Sequence, residues 1–318
     1  MPNIFQTEEW AKFKTETGYQ KYYDVDGVFV LQKLLPLGRT MLYSPMIDQS
    51  QISNLKPQNY ISKLKTLAKE NKAIFYRAEF DSPIIPDTEY LIRSGFTKAF
   101  EEMQPEHTLI LNISKNEEDI LAGMKQKGRY NIKIAEKHNI KVRKSRQVDN
   151  FYRLYEETAK RQKITYRNKQ YFRALLDNLE PKGYCELFEA YVEDTRYKIQ
   201  DTNINQSTNH VLASAIIAFY KGRVTYLFGS SSSEMRNLMA PYKLHWQIIQ
   251  EAKRRGFIEY DFFGIAPDDN PNHPWAGVTR FKKQFGGNEI KLLGSWDLIL
   301  RPTEYKIFKI AEKIRRRK

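Results

Sequence analysis

The sequence predicts an α/β protein, in the α+β sense, built from two copies of one folding unit. Three observations carry this. The pair Gly38-Arg39 recurs 184 residues later as Gly222-Arg223, each pair following one apolar segment and opening another. At the same offset Thr40–Tyr43 meets Val224–Leu227, Ile61–Glu70 meets His245–Arg254, and Ala73–Arg77 meets Phe257–Asp261. The first and last of these segments have strand character and the middle one has helical periodicity. With 318 residues there is chain enough for two domains with real cores.

Each half therefore reads strand, tight turn, strand, loop, helix, strand. That is the core order of an acetyltransferase-like fold, and the shared spacing argues for internal duplication. Residues 1–117 form the expected first domain and 118–297 the second. Between the copies, Ser114-Lys-Asn-Glu117 has the spacing of a capping box and leads into Ile120, Leu121 and Met124. The helix it opens runs on to Lys137, with Gly123 and Gly128 as points where it can split. Asp194–His210 is polar and aperiodic, hence a loop. In the second copy Pro241 suits the first turn of the helix, Leu244, Ile248 and Ala252 share a face, and Gly256 ends it. Near the C-terminus, Phe281 and Phe285 anchor a short helix that leaves Arg280 and Lys282 free, and Gly286-Gly287 stops it. The last segment, Glu304–Lys318, sets Tyr305, Ile307, Phe308, Ile310, Ala311 and Ile314 against seven Lys/Arg. It reads as a surface helix with a basic tail, short of the length and Trp/Leu content of a strong interfacial helix.

Charge narrows the partners. Lys and Arg total 52 against 38 acids, a net of +14, which favours RNA, nucleotide phosphates or an anionic membrane surface. The excess is local. Lys125, Arg129, Lys133 and Lys137 recur every four residues, and from Lys125 to Arg146 there are nine Lys/Arg and one acid, Glu136. A solvated helix usually mixes signs to gain i,i+4 pairs, so an anionic partner explains this stripe better.

Several chemistries are disfavoured. The one cysteine, Cys185, permits neither a disulfide framework nor a cysteine zinc site. The five histidines are scattered, and no Walker, dinucleotide, nucleophile-elbow or zinc-protease motif occurs. An acetyl-CoA enzyme of this fold would hold pyrophosphate on a glycine-rich loop before a helix. Here Gly229-Ser-Ser-Ser-Ser-Glu-Met-Arg236-Asn offers one glycine and an acid. No basic, apolar leader opens the chain, and the apolar run Val211–Phe219 is too short to span a bilayer, so a cytoplasmic protein is expected.

A set of short motifs adds to this reading. In order they are Phe5-Gln-Thr-Glu-Glu-Trp10, Lys33-Leu-Leu-Pro-Leu-Gly38, Gln104-Pro105-Glu-His-Thr108, Arg129-Tyr-Asn-Ile-Lys-Ile-Ala-Glu-Lys137 and Ala240-Pro-Tyr242. Tyr260-Asp-Phe-Phe-Gly264 and Gly277-Val-Thr-Arg-Phe-Lys282-Lys-Gln-Phe-Gly-Gly287 complete the set. With them the chain resembles the Fem (FemABX) peptidyltransferases, which attach amino acids from aminoacyl-tRNA to peptidoglycan precursors. The resemblance implies two acetyltransferase-like domains, with the C-terminal segment, 298–318, packed back on the first, which would account for the apolar face from Ile307 to Ile314. It departs from the family at Ser44-Pro-Met-Ile-Asp48, where many members carry Pro-Arg-Gly-Pro, and it leaves no room for their long helical arm.

The reaction so implied is attack by a stem-peptide amine on the ester of aminoacyl-tRNA, without cofactor or metal. The acceptor is a UDP- or lipid-linked muropeptide, and a monomer with peripheral contact to the inner membrane surface is expected. By motif position Lys282 is the cation at the reacting carbonyl or tRNA terminus, and Phe281 walls that site. Lys33 matches a lysine that binds precursor phosphates. Arg236 and Tyr242 flank the helix entrance at Pro241, and Arg129, Lys133 and Arg280 guide RNA phosphate. Blander readings stand beside these: solvated lysines at 282 and 33, a core ring at Tyr242, a fold-supporting Arg129. Two rivals also remain, an acyl-CoA-dependent N-acyltransferase and a non-catalytic RNA or anionic-surface binder.

Overall fold

The repeat in the sequence is a repeat of topology. The computed structural model describes residues 3–48, 50–51, 57–83, 88–162, 166–194 and 208–315. The first half holds α1 (Glu8–Glu16), β1 (Lys21–Val25), β2 (Val28–Leu35), β3 (Arg39–Asp48), α2 (Pro57–Glu70), β4 (Ala73–Asp81), α3 (Thr88–Arg93) and β5 (Phe96–Lys98). There follow β6 (His107–Asn112), α4 (Glu117–Gly123), α5 (Gln126–Lys137), β7 (Lys141–Ser145), α6 (Val148–Gln162) and α7 (Lys169–Leu179). Next come β8 (Cys185–Asp194), β9 (Thr208–Tyr220), β10 (Arg223–Ser231), α8 (Ala240–Arg254), β11 (Glu259–Gly264) and α9 (Ala276–Lys282). The chain closes with β12 (Asn288–Lys291), β13 (Gly294–Ile299) and α10 (Pro302–Arg315).

Two sheets result, ordered β1-β2-β3-β4-β13-β5 and β12-β6-β11-β10-β9-β8-β7. In each, an antiparallel hairpin (β2/β3, β9/β10) is followed by a parallel crossover through a helix (β3-α2-β4, β10-α8-β11). This is the expected pair of acetyltransferase-like units. One unit runs to Thr108 and resumes at Ile290; the other is Leu109–Glu289. The sequence reading drew these borders at 117/118 and 297/298. Strand β13 lies between β4 and β5 and so belongs wholly to the first sheet.

The spacing of the repeat is not unbroken. Thr40 stands opposite Ala73, but Val224 stands opposite Tyr260, three residues beyond the constant offset. Strand β11 accordingly starts at Glu259 rather than Phe257. The polar loop expected over 194–210 is shorter at both ends, since β8 reaches Asp194 and β9 starts at Thr208; residues 195–207 lie outside the described residues. The capping box is shifted as well. Asn116 caps α4, its Oδ1 accepting from the Asp119 amide at 2.8 Å, while Ser114 turns onto Asn112. The helix does split at Gly123: Met124 and Lys125 are extended, and α5 starts afresh.

Local turn chemistry suits the tight turns. Asp26-Gly27 between β1 and β2 and Lys221-Gly222 between β9 and β10 have positive φ at both residues, the twist that a two-residue hairpin requires. In the first unit, Val30, Leu42, Leu64 and Tyr76 pack on the α2 side of the sheet, and Leu31, Met41, Tyr43 and Phe75 on the α10 side. A buried polar network fills the latter. Arg77, fully buried, gives Nε and Nη2 to the carboxylate of Asp297 at 2.7 and 2.8 Å and Nη1 to Glu101 at 3.1 Å. Tyr305 of α10 donates to the same Asp297 at 2.5 Å. Glu79 accepts from Tyr43, from the Met103 and Gln104 amides and from Ser295, and burial pushes its pKa up.

Helix α10 is thus held to the first unit by Tyr305 and Phe308. Its remaining apolar residues point elsewhere. Ile307, Ile310 and Ile314 are 63, 60 and 56 % exposed, so the return of the segment does not account for its apolar face. Among the described residues no helix is long and apolar enough to cross a membrane.

Replacing Asp297 by Ala strands the Arg77 guanidinium in the interior. Urea unfolding should show a loss of about 3–5 kcal/mol, the cost of an unpaired buried charge.

Candidate functional site

The site begins where two strands part. Strand β10 pairs with β11 only from Arg223–Thr225 to Glu259–Asp261. A bulge then sits at Leu227, since Tyr226 faces Ile217 while Phe228 faces Ile216. The bulge sends Tyr226 toward α8, where its ring meets His245 at 4.5 Å. Phe228 goes to the opposite face, among Tyr155, Tyr171 and Phe172 of α6 and α7. In the first unit the matching strands pair from Thr40/Ala73 through to Asp48/Asp81. Only the second unit therefore opens a parallel pair.

A cavity of about 690 Å³ occupies the opening. Lys127, Arg161, Arg236 and Arg280 line it, against one acid, Glu234. Arg161 is anchored by the Ser231 carbonyl at 3.1 Å and the Ser233 hydroxyl at 2.8 Å. Its pKa is lowered by burial and by neighbouring Arg236, which marks a site short of negative charge. Helix α8 starts at the cavity, with Ala240, Pro241 and Tyr242 in its wall. Ser214 and Ser230, register partners on one sheet face, also line it; both are buried, and neither hydroxyl has a hydrogen-bond partner among the described residues. Leaving such groups unsatisfied is costly, so a ligand's polar atoms are the natural complement.

On the other side stands His245. Its Nδ1 lies 2.8 Å from the Tyr260 hydroxyl. Burial, and then the nearby Lys282 charge, lower its pKa to about 3, so the imidazole is neutral. Lys282 itself is not free, as its motif suggested. It is 6 % exposed and donates to the Gly264 carbonyl at 2.6 Å and the Phe263 carbonyl at 3.5 Å. These carbonyls lie beyond the last residue paired with β10, so the lysine satisfies acceptors that the parting strands release. Its Nζ lies 5.5 Å from the Tyr226 ring centroid, behind the cavity wall. Burial pushes its pKa down to about 7, opposed by Asp261.

The two cationic motifs of the sequence interlock here. The Lys125 amide donates to the Gln284 carbonyl at 3.0 Å. A Cβ at Gly128 would lie 2.4 Å from that same oxygen, and one at Gly286, where φ is +78°, would lie 2.5 Å from the Gly123 carbonyl. Tyr242 packs between Phe281 and Phe285 at 5.0 and 5.7 Å and hydrogen-bonds Asn131.

Arg236, Tyr242, Arg280 and Phe281 thus meet around one cavity, with Lys282 behind it. Arg129 and Lys133 do not join them. Lys127 and Asn131 form the cavity side of α5, and the stripe lies on another side. Arg129 donates to the Leu121, Ala122 and Met124 carbonyls, capping α4. Lys133 is exposed. Lys33 belongs to the first unit, exposed on β2 opposite Met41. Sequence reasoning missed Lys127, Arg161, Ser214, Ser230 and His245. Ser214 sits in unremarkable strand sequence, Ser230 in the serine run that reads as a loop but continues β10 to Ser231, and the histidine hides in an amphipathic helix. Among the described residues no cluster of His, Cys, Asp and Glu could hold a metal. Cys185 is buried, its pKa pushed far up by that burial.

Comparison with known proteins adds a lineage. The profile of the FemAB family matches residues 93–208 and 186–313. The lipid II:glycine glycyltransferase of Staphylococcus saprophyticus is 24 % identical over 375 aligned positions, covering 96 % of this chain and 90 % of that protein. Its Staphylococcus aureus namesake is 23 % identical over 378 positions, with the same coverage. Both alignments exceed the length of this chain, so these relatives carry residues that it lacks. Among solved structures, FemX superposes with a TM-score of 0.82 at 22 % identity, covering 96 % of this chain and 94 % of that one. The C-terminal domain of a putative lysylphosphatidylglycerol synthetase from Agrobacterium fabrum gives 0.58 at 10 % identity, covering 92 % and 88 %. Both likenesses concern the fold.

The lowered Lys282 pKa has a measurable consequence. Between pH 7 and 10.5 the unfolded chain holds a proton that the folded one releases, so this lysine makes stability rise with pH across that window. Unfolding free energies of Lys282→Met minus wild type should therefore fall as pH rises, by up to about 1.4 kcal/mol per pH unit. A pH-independent difference would mean the lysine is not desolvated.

Proposed function

The chain belongs to the FemAB family, and on that premise we propose that it is an aminoacyltransferase. It moves an amino acid from aminoacyl-tRNA onto a stem-peptide amine of a peptidoglycan precursor. The observation that carries this is the cation-lined cavity at the parted strands, four Lys/Arg to one acid, fronted by a loop without the glycines of a pyrophosphate cradle. The relatives' names, lipid II:glycine glycyltransferase, support a lipid-linked acceptor and a small aminoacyl donor. Aminoacyl-tRNA is a cytoplasmic reagent, which puts the reaction there.

In this reading the 3′ end of the tRNA enters the cavity. Arg161, Arg236 and the first turn of α8 receive its terminal phosphate. Ser214 and Ser230 complete their hydrogen bonding on the donor. Tyr242 and Phe281 form the flat wall, and Arg280, with Lys133 further out, draws in the RNA backbone. The acceptor nitrogen adds to the ester carbonyl, the carbon–nitrogen bond forms, the carbon–oxygen bond to the ribose breaks, and the amine proton passes to the ribose oxygen. The ester is already activated, so the protein's main contributions are juxtaposition and stabilisation of the developing oxyanion. Lys282 acts through its field, from behind Tyr226. The neutral His245 adds no charge to repel an incoming amine. Lys33, on the first unit, binds the precursor phosphates.

One feature favours a thioester donor instead: α8 opens into the split where this fold can place a pyrophosphate. The test is incubation with charged total tRNA or acetyl-CoA, each with UDP-linked and lipid-linked muropeptides, read by mass spectrometry. An aminoacyl mass increment that disappears after RNase treatment is expected. Acylation from acetyl-CoA, or transfer that survives RNase, would overturn the reading. Ser214→Ala/Ser230→Ala should leave the unfolding midpoint unchanged or higher and raise the KM for charged tRNA about tenfold, the worth of one or two lost hydrogen bonds. Lys33→Met should raise the KM for the precursor more than it lowers kcat; an unchanged KM would remove Lys33 from phosphate binding.

A further inference from the structure

The first unit carries an apolar surface that its own fold does not use. Ile307, Ile310 and Ile314 follow one another at spacings of three and four on α10, so they form one stripe along the helix. All three are more than half exposed. The opposite side of the same helix is occupied, by Tyr305 against Phe75 and by Phe308 against Phe75 and Phe100. The stripe is therefore not a core face caught at the surface; the core face is already satisfied. Lys306 and Lys313 fall beside it by helical spacing, and Arg316, Arg317 and Lys318 follow in the sequence. The acids of the helix are already paired, Glu304 with Arg39 and Arg301, Glu312 with Arg315.

Another exposed apolar residue is tethered to the start of this helix. Leu37, in the turn between β2 and β3, is 98 % exposed and has φ of +60°. A leucine in left-handed backbone with nothing to pack against does no service to the fold. Arg39, two residues on, is bonded to Glu304 in the first turn of α10 at 2.6 Å. Lys33 and Arg39 point to the same side of the hairpin as Leu31, Met41 and Tyr43, which is the side that α10 covers.

We propose that the outer face of α10, with Leu37 beside it, docks on the surface of an anionic phospholipid bilayer. An isoleucine stripe edged by lysines is what such a surface receives: the side chains enter the acyl boundary while the cations stay among the headgroups. A second protein copy would leave the edging cations facing one another across a two-fold axis. The charge therefore favours lipid. This inference does not depend on which donor or acceptor the second unit uses.

The test is sedimentation of the full chain with vesicles of pure phosphatidylcholine and of phosphatidylcholine with one third phosphatidylglycerol. Wild type should partition at least tenfold more strongly onto the anionic vesicles. Ile307→Glu/Ile310→Glu/Ile314→Glu should lose that partition, and Lys306→Glu/Lys313→Glu should lose its dependence on phosphatidylglycerol. Both variants should keep wild-type transfer to a soluble UDP-linked precursor, since these residues lie outside the transfer machinery. Wild type and the isoleucine variant binding alike, or neither binding, would overturn the proposal. So would light scattering that shows a wild-type dimer abolished by the isoleucine substitutions, or a loss confined to RNA binding. Failure of transfer together with intact vesicle binding would count against the proposed reaction and not against this surface.

Discussion

Everything distinctive about the second unit follows from the parting of β10 and β11 after Thr225 and Asp261. Parallel strands normally stay paired because each backbone group released costs a hydrogen bond. Here the bulge at Leu227 turns β10 aside, and the cost is offset locally. Lys282 supplies its ammonium to the Phe263 and Gly264 carbonyls. Tyr226 lines the gap against His245 of α8, and Phe228, sent to the opposite face, anchors β10 in the aromatic cluster of α6 and α7. The cavity is held open by side chains of fixed position.

The first unit shows the same topology put to another use. Its parallel pair stays closed, and its interior on the α10 side is filled by Arg77, Asp297, Glu79 and Tyr43. Every charge in that network has a partner of opposite sign or several hydrogen bonds, which is the condition for a buried ion to be tolerated. One copy of the duplicated unit thus spends its buried charges on its own interior. The other leaves Ser214 and Ser230 without partners and surrounds them with cations.

The charge distribution separates two roles that the net +14 merges. Among the cations around the cavity, Arg161 is fixed by the Ser231 carbonyl and the Ser233 hydroxyl, and Arg236 is placed by the turn before α8. The stripe on α5 is different. Arg129 is consumed by α4, Glu136 pairs with Lys243 at 2.8 Å, and Lys133 stays in solvent. A periodic run of like charge therefore contained one helix cap and several solvated lysines, while the cation that reaches the cavity, Lys127, lies off the stripe.

Much of the fold was legible from the chain alone, because hairpin, crossover helix and strand each leave a periodic trace and occur twice. The motifs around Lys125 and Gly277 could also be singled out, and three of their glycines, Gly128, Gly286 and Gly287, permit close backbone approach. What the sequence could not supply was direction. Lys282 looked exposed because nothing local reveals that two carbonyls wait for it across the split. Ser214 and Ser230 lie on the two arms of one hairpin and face each other only because the bulge at Leu227 shifts the register by one residue. Ile307, Ile310 and Ile314 were expected to be covered by the return of their segment to the first unit, but periodicity reports a face and not what lies against it. Local spacing determined which elements form and how often they recur; only the tertiary arrangement decided which side of each element met protein and which was left for something else.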